Sequence, residues 1–72
     1  MRTHRYRIQL LDDIGGRHSD AIAYTVDGVV AFSTRQAAGG YEATIVVPDA
    51  QRETLELLLD GDDNIVTYYD RT

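Results

Sequence analysis

Pro48 and Asp49 break the second half of the chain into two incompatible patterns, and that break limits what the chain can become. Upstream, Tyr41 to Val47 is rich in branched and aromatic residues and reads as a strand. Pro48 has no N–H for a ladder and cannot continue a central strand, whereas Asp49 is a good N-cap for a helix beginning just after it. Ala50 to Leu59 is made of strong helix formers, with Leu55, Leu58 and Leu59 on one stripe. Leu57 points off that stripe, either as the flank of a broad apolar face or as a helix-side dimer contact. Gly61 is the expected left-handed stop, and Asn64 to Tyr69 reads as a last strand.

The first half opens on a strand. Arg5-Tyr6-Arg7-Ile8-Gln9-Leu10 alternates, placing Tyr6, Ile8 and Leu10 on one face and Arg5, Arg7 and Gln9 on the other. Asp12 to Gly16 is a cluster of turn formers that ends it. Val29 to Thr34 reads as a strand, and Gln36 to Gly40 as a five-residue hairpin loop leading to Tyr41. Residues 17–28 admit two readings. Ser19 or Asp20 can cap a helix carrying Ala21, Ile22, Ala23 and Val26. Alternatively Ile22, Tyr24 and Val26 alternate, and Asp27-Gly28 turns a hairpin across residues 21–34. The helix is preferred, because the order strand, helix, strand, strand, helix, strand then closes a two-layer α+β sandwich with an antiparallel sheet and one open face. The alternative is a five-stranded sheet with one helix.

Seventy-two residues make one domain, spanning 1–72, with a core small enough that added support is expected. Cysteine is absent, so disulfides and thiolate metal sites cannot supply that support, and a homodimer is the natural device. Met1 to Leu11 is a charged alternating segment rather than a signal peptide, and no apolar stretch is long enough to span a membrane, so a cytoplasmic protein is expected.

All seven basic residues are arginine, and nine of the twelve acids are aspartate. That surface suits a salt-filled, halophilic cytoplasm, with GC-rich codon usage as the competing account. The net charge of −5 would ordinarily count against a nucleic-acid partner, but acidic surfaces are general in high salt, where screening shortens to about 3 Å.

Catalysis is poorly supplied, with only His4 and His18 as imidazole bases and no nucleophile-base-orienter set, so no catalytic residue, metal or cofactor is expected. Asp60-Gly61-Asp62-Asp63-Asn64 begins like a calcium loop, but Ile65 stands where glycine is needed and Arg71 where a bidentate glutamate belongs. A solvated acidic turn is the simpler reading. Arg5, Arg7 and Arg35 can share the outer sheet face with Tyr69, a cation-and-aromatic surface of the kind that binds single-stranded nucleic acid, although Arg7 can equally pair across strands with Glu42.

Asp12-Asp13-Ile14-Gly15-Gly16 contains Asp-x-x-Gly in two registers, and Gly28-Val29-Val30 comes later as a glycine with an apolar pair. In these features the chain from about Arg5 to Tyr69 resembles the ACT domains, small ferredoxin-like regulatory modules. The resemblance implies an amino acid or other small ligand held by Asp12, Asp13, Gly15 and Gly16 against a neighbouring subunit. Glycine would permit close backbone approach, and amides at a helix N-terminus attract a carboxylate. The sequence thus leads to a non-enzymatic regulatory or interaction module. Its partner is a small ligand, another protein or a nucleic acid.

If the surface is adapted to salt, the melting temperature should rise markedly from low to molar salt. A salt-insensitive melting curve would leave codon usage as the cause of the arginine and aspartate bias.

Overall fold

A computed structural model of the chain describes residues 2–13 and 15–71, so Ile14 of the expected turn lies outside the described residues. The elements are β1 (Thr3–Leu10), α1 (Arg17–Thr25), β2 (Ala31–Ala37), β3 (Gly40–Pro48), α2 (Arg52–Asp60) and β4 (Ile65–Asp70), with one 3-10 turn, Asp49–Gln51, leading into α2. The four strands form an antiparallel sheet in the order β2-β3-β1-β4. Residues 17–25 are helical, so the five-stranded alternative with a hairpin over 21–34 is overturned.

The central pair β1 and β3 runs in register from Thr3 opposite Pro48 to Leu10 opposite Tyr41. Alternation along both strands sends Tyr6, Ile8 and Leu10, with Ala43, Ile45 and Val47, to one face. Ile22 and Val26 from the α1 segment and Leu55 and Leu59 from α2 join them in one buried cluster. Both helices therefore cover the same face of the sheet, and the other face is left open. Leu58 is half-buried beside this cluster, while Leu57 is 73% exposed and lies off the buried stripe.

Several boundaries differ from expectation, for local reasons. The strand expected over Val29–Thr34 runs instead from Ala31 to Ala37, and the five-residue loop contracts to Ala38-Gly39. Gly39 turns at φ 82° and Gly40 comes next at φ 151°, where a Cβ would collide with the Leu10 carbonyl oxygen. Two glycines thus allow a tighter hairpin than a general loop. Asp49 does not cap α2 with its side chain. Its carboxylate faces His4 instead. Gly61 is not left-handed, with φ −88°, because the chain leaves α2 through a tightening turn in which the Asp62 N–H donates to the Leu59 carbonyl.

The glycines separate into required and dispensable ones. Gly40→Ala should destabilise by about 2 kcal/mol or more, since both the conformation and the contact are closed to a side chain. Gly61→Ala should be neutral or stabilising by up to about 1 kcal/mol, because a Cβ there meets nothing closer than 3.6 Å. Chemical denaturation of both variants measures the contrast, and equal losses at the two sites would contradict it.

Candidate functional site

Cross-strand register organises the open face into rows. Ser33, Thr44, Arg7 and Tyr69 are successive partners across all four strands. Arg35, Glu42, Gln9 and Thr67 form the next row. Ala31, Val46 and Arg5 continue a third, and the Arg71 N–H reaches the Arg5 carbonyl at 2.7 Å. The four residues expected to share this surface, Arg5, Arg7, Arg35 and Tyr69, do share it. Arg71 adds a fourth guanidinium, 6.0 Å from the Tyr69 ring centroid, within cation–π range. The signal for it lies in the sequence, since Thr67, Tyr69 and Arg71 continue one alternation two residues beyond the expected end of the strand at Tyr69.

The face is held in shape by one carboxylate. Glu42 Oε1 accepts from Arg35 Nε at 3.0 Å, with Arg35 Nη2 also at 3.0 Å, and Arg7 Nε stands 3.7 Å away. The expected pairing of Arg7 with Glu42 is thus present as a diagonal contact, since Gln9 is the residue directly opposite Glu42. Arg7 Nε is buried and makes no hydrogen bond. Arg7, Ser33, Thr34, Arg35, Glu42 and Thr44 line a shallow recess.

The expected ligand loop is organised from within. Asp13 is buried, and its carboxylate accepts from the Ser19 N–H at 2.7 Å and the Ser19 hydroxyl at 2.8 Å. It satisfies the Ser19 amide in the first turn of α1 from outside the helix, whose N-cap position is Gly16 and not the expected Ser19 or Asp20. The Asp12 N–H donates to Asn64 Oδ1 at 3.1 Å, tying the loop to the approach of β4. Gly15 and Gly16, both at positive φ, have open space where a Cβ would be. Two acids of the suspected calcium loop are likewise engaged: Asp60 accepts from the Tyr68 hydroxyl at 2.6 Å, and Asp62 contacts His18 and accepts from the Asn64 N–H. The hydrogen bond to Asp60, with some burial, pushes the Tyr68 hydroxyl up to about 12. Burial first, and then the hydrogen bond it donates to the Glu56 carboxylate, raise the Tyr6 hydroxyl as well.

One polar constellation gave no signal in the sequence. His4 is buried, with Asp70 Oδ2 at 2.7 Å from Nδ1 and Asp49 Oδ1 at 2.6 Å from Nε2. Both contacts are donations only when each ring nitrogen carries a proton. The three residues are far apart in the chain and meet because β1 pairs with β3 and β4. They close the end of the sandwich where β1 begins, β3 ends and β4 ends.

The His4 hydrogen bond is the chief cause that holds the Asp49 carboxyl below its ordinary value of 3.8. A depressed folded value means stability that is complete above the unfolded value and is lost as pH falls through the folded one. Asp49→Asn should therefore lower the melting temperature near neutral pH. The gap from the wild type should close below about pH 4. A gap that stays constant through the acid range would show that this pair does not contribute.

No protein-family model, curated protein or solved structure matches the chain.

Proposed function

We propose that this chain is a non-enzymatic interaction module, a ferredoxin-like α+β sandwich that docks an extended anionic partner on its open sheet face. Read from the other edge, the strand order is β4-β1-β3-β2, with one helix after β1 and one after β3 on the same face, which supports the ferredoxin-like assignment. The observation that carries the functional reading is the segregation of charge. Strand alternation puts four arginines, Arg5, Arg7, Arg35 and Arg71, on the open face against one carboxylate, Glu42, a net of +3. The other three arginines stand with eleven carboxylates, a net of −8, in a chain whose total is −5. A basic face on an acidic molecule holds a polyanion by direct contact with its guanidinium groups, and at low salt the repulsion of the remaining surface also orients it.

A second reading keeps the ACT-like resemblance, with a small ligand at Asp12, Asp13, Gly15 and Gly16 completed by a partner subunit. The open space beside Gly15 and Gly16 favours it. Against it, the Asp13 carboxylate already occupies the Ser19 amide that a ligand carboxylate would seek. The sheet face is the better supported site. The lysine-free acidic surface around it supports a salt-rich cytoplasm as the setting.

Binding of a sulphated polysaccharide at low salt tests the face without assuming the partner's identity. Arg7→Ala with Arg35→Ala should weaken it at least about tenfold, whereas Arg17→Ala with Arg52→Ala, which changes net charge equally from the helices, should weaken it far less. Equal losses from both pairs would mean that only net charge matters, and would remove this face as the site.

A further inference from the structure

We infer that the partner of the open face is single-stranded nucleic acid, with Tyr69 and Arg71 as the stacking platform, Arg7 and Arg35 as phosphate contacts, and Glu42 as the positioning residue between them. This rests on the reading of the face as an anion-docking surface and adds the class of anion.

The chemistry of the rows decides between polyanions. The centre of a protein–protein contact is depleted in charge and built around aromatic and apolar anchors. Here the central positions are Arg7 and Thr44, and the apolar residues of the rows, Ala31 and Val46, lie together toward one end. A second copy of the chain applied face to face would oppose four arginines to four arginines. A copy applied through its acidic surface would leave its own basic face uncovered, so the contact would have to continue head to tail into a ring or a filament rather than a dimer. An extended nucleic acid meets neither difficulty. Its phosphates match the planar forks of arginine and the hydroxyls of Ser33, Thr44 and Thr67, and its bases need a flat ring to lie on.

Tyr69 is 48% exposed, with one neighbouring guanidinium near its ring and Arg7 directly opposite across the strand pair. A base stacked on that ring brings its adjoining phosphate toward Arg7. Arg35 lies two strands further on in the next row, and its guanidinium shares Glu42 Oε1 with Arg7, so a strand of nucleic acid crossing the sheet meets the ring first and then a paired phosphate contact. A duplex keeps its bases paired and offers none to Tyr69.

Glu42 gives the surface its order. Its Oε1 receives Arg35 at two nitrogens and stands 3.7 Å from Arg7 Nε, so two like charges that would otherwise repel are held on neighbouring rows. It is also an anion already seated where a phosphate would bind. Replacing it with the neutral amide should therefore strengthen phosphate binding while loosening the positions of the guanidinium groups.

The test uses the full chain and three labelled probes: a twelve-residue oligothymidylate, a duplex of the same length, and an oligoglutamate of matched charge, each titrated across a salt series. The oligothymidylate should bind most tightly. Tyr69→Ala should weaken it about tenfold or more with little change in salt slope, and Tyr69→Phe should restore it, because stacking needs the ring and not the hydroxyl. Arg35→Ala should weaken it and reduce the salt slope by about one contact. Glu42→Gln should strengthen it and steepen the slope. Oligoglutamate binding as tightly as oligothymidylate, with Tyr69→Ala silent, would overturn the nucleic-acid assignment while leaving the anion-docking face in place. A duplex that binds more tightly than the single strand would overturn the stacking geometry. Failure of all three probes at low salt would remove both readings.

Discussion

The pairing of β1 with β3 is the constraint on which the rest of the molecule depends. Eight successive residues of each strand face one another, and each strand is strictly divided between its two sides. On one side the division supplies Tyr6, Ile8, Leu10, Ala43, Ile45 and Val47, a continuous apolar floor on which two nine-residue helices can lie. On the other it supplies Arg5, Arg7, Gln9, Glu42 and Thr44, a surface that cannot be buried without a large desolvation cost. A slip of one residue would exchange the two sides, so the register is determined by the core, and the open face inherits its arrangement from that register. The basic rows are ordered because the apolar rows beneath them are.

Two buried polar groups complete what apolar packing leaves unfinished. Asp13 reaches from the end of β1 to the Ser19 amide in the first turn of α1, which gives a short helix a defined start where the chain has just turned through two glycines at positive φ. His4 sits between Asp49 and Asp70 and gathers the beginning of one strand and the ends of two others. Each lies at one end of β1. A domain of this size without disulfides has few other ways to hold its ends, and buried polar groups with complete partners serve that purpose.

Much of the scaffold was legible because it depends on short-range periodicity. Alternation identifies β1, strand-forming composition between turn signals identifies β3 and β4, leucine spacing identifies α2, and the preference for covering one sheet face favours the helix over the hairpin at residues 17–25. Boundaries differ where a particular contact, and not periodicity, decides the geometry. The hairpin tightened because Gly40 lies against Leu10, Asp49 turned from its helix to His4, and Gly61 remained right-handed because Asp62 finds Leu59. The open face was foreseen in its members Arg5, Arg7, Arg35 and Tyr69, since each position comes from alternation, and Arg71 continues that alternation beyond the expected end of the strand at Tyr69. The loop of Asp12, Asp13, Gly15 and Gly16 was read as a place for a ligand, while the structure shows its buried carboxylate engaged by Ser19.

What the sequence determines alone is which side of each strand a residue occupies and that the leucine-rich stretch after Pro48 is helical, because these depend on neighbours two to four positions away. It therefore determines that Arg5 and Arg7 of β1 and Tyr69 of β4 lie on the side away from the core. What the tertiary structure decides is who stands beside whom: that Arg7 faces Tyr69, that Glu42 is shared between Arg7 and Arg35, and that His4 meets two aspartates. Those are strand-order and register facts, and the order β2-β3-β1-β4 arises only when both helices and all four strands bury a common core.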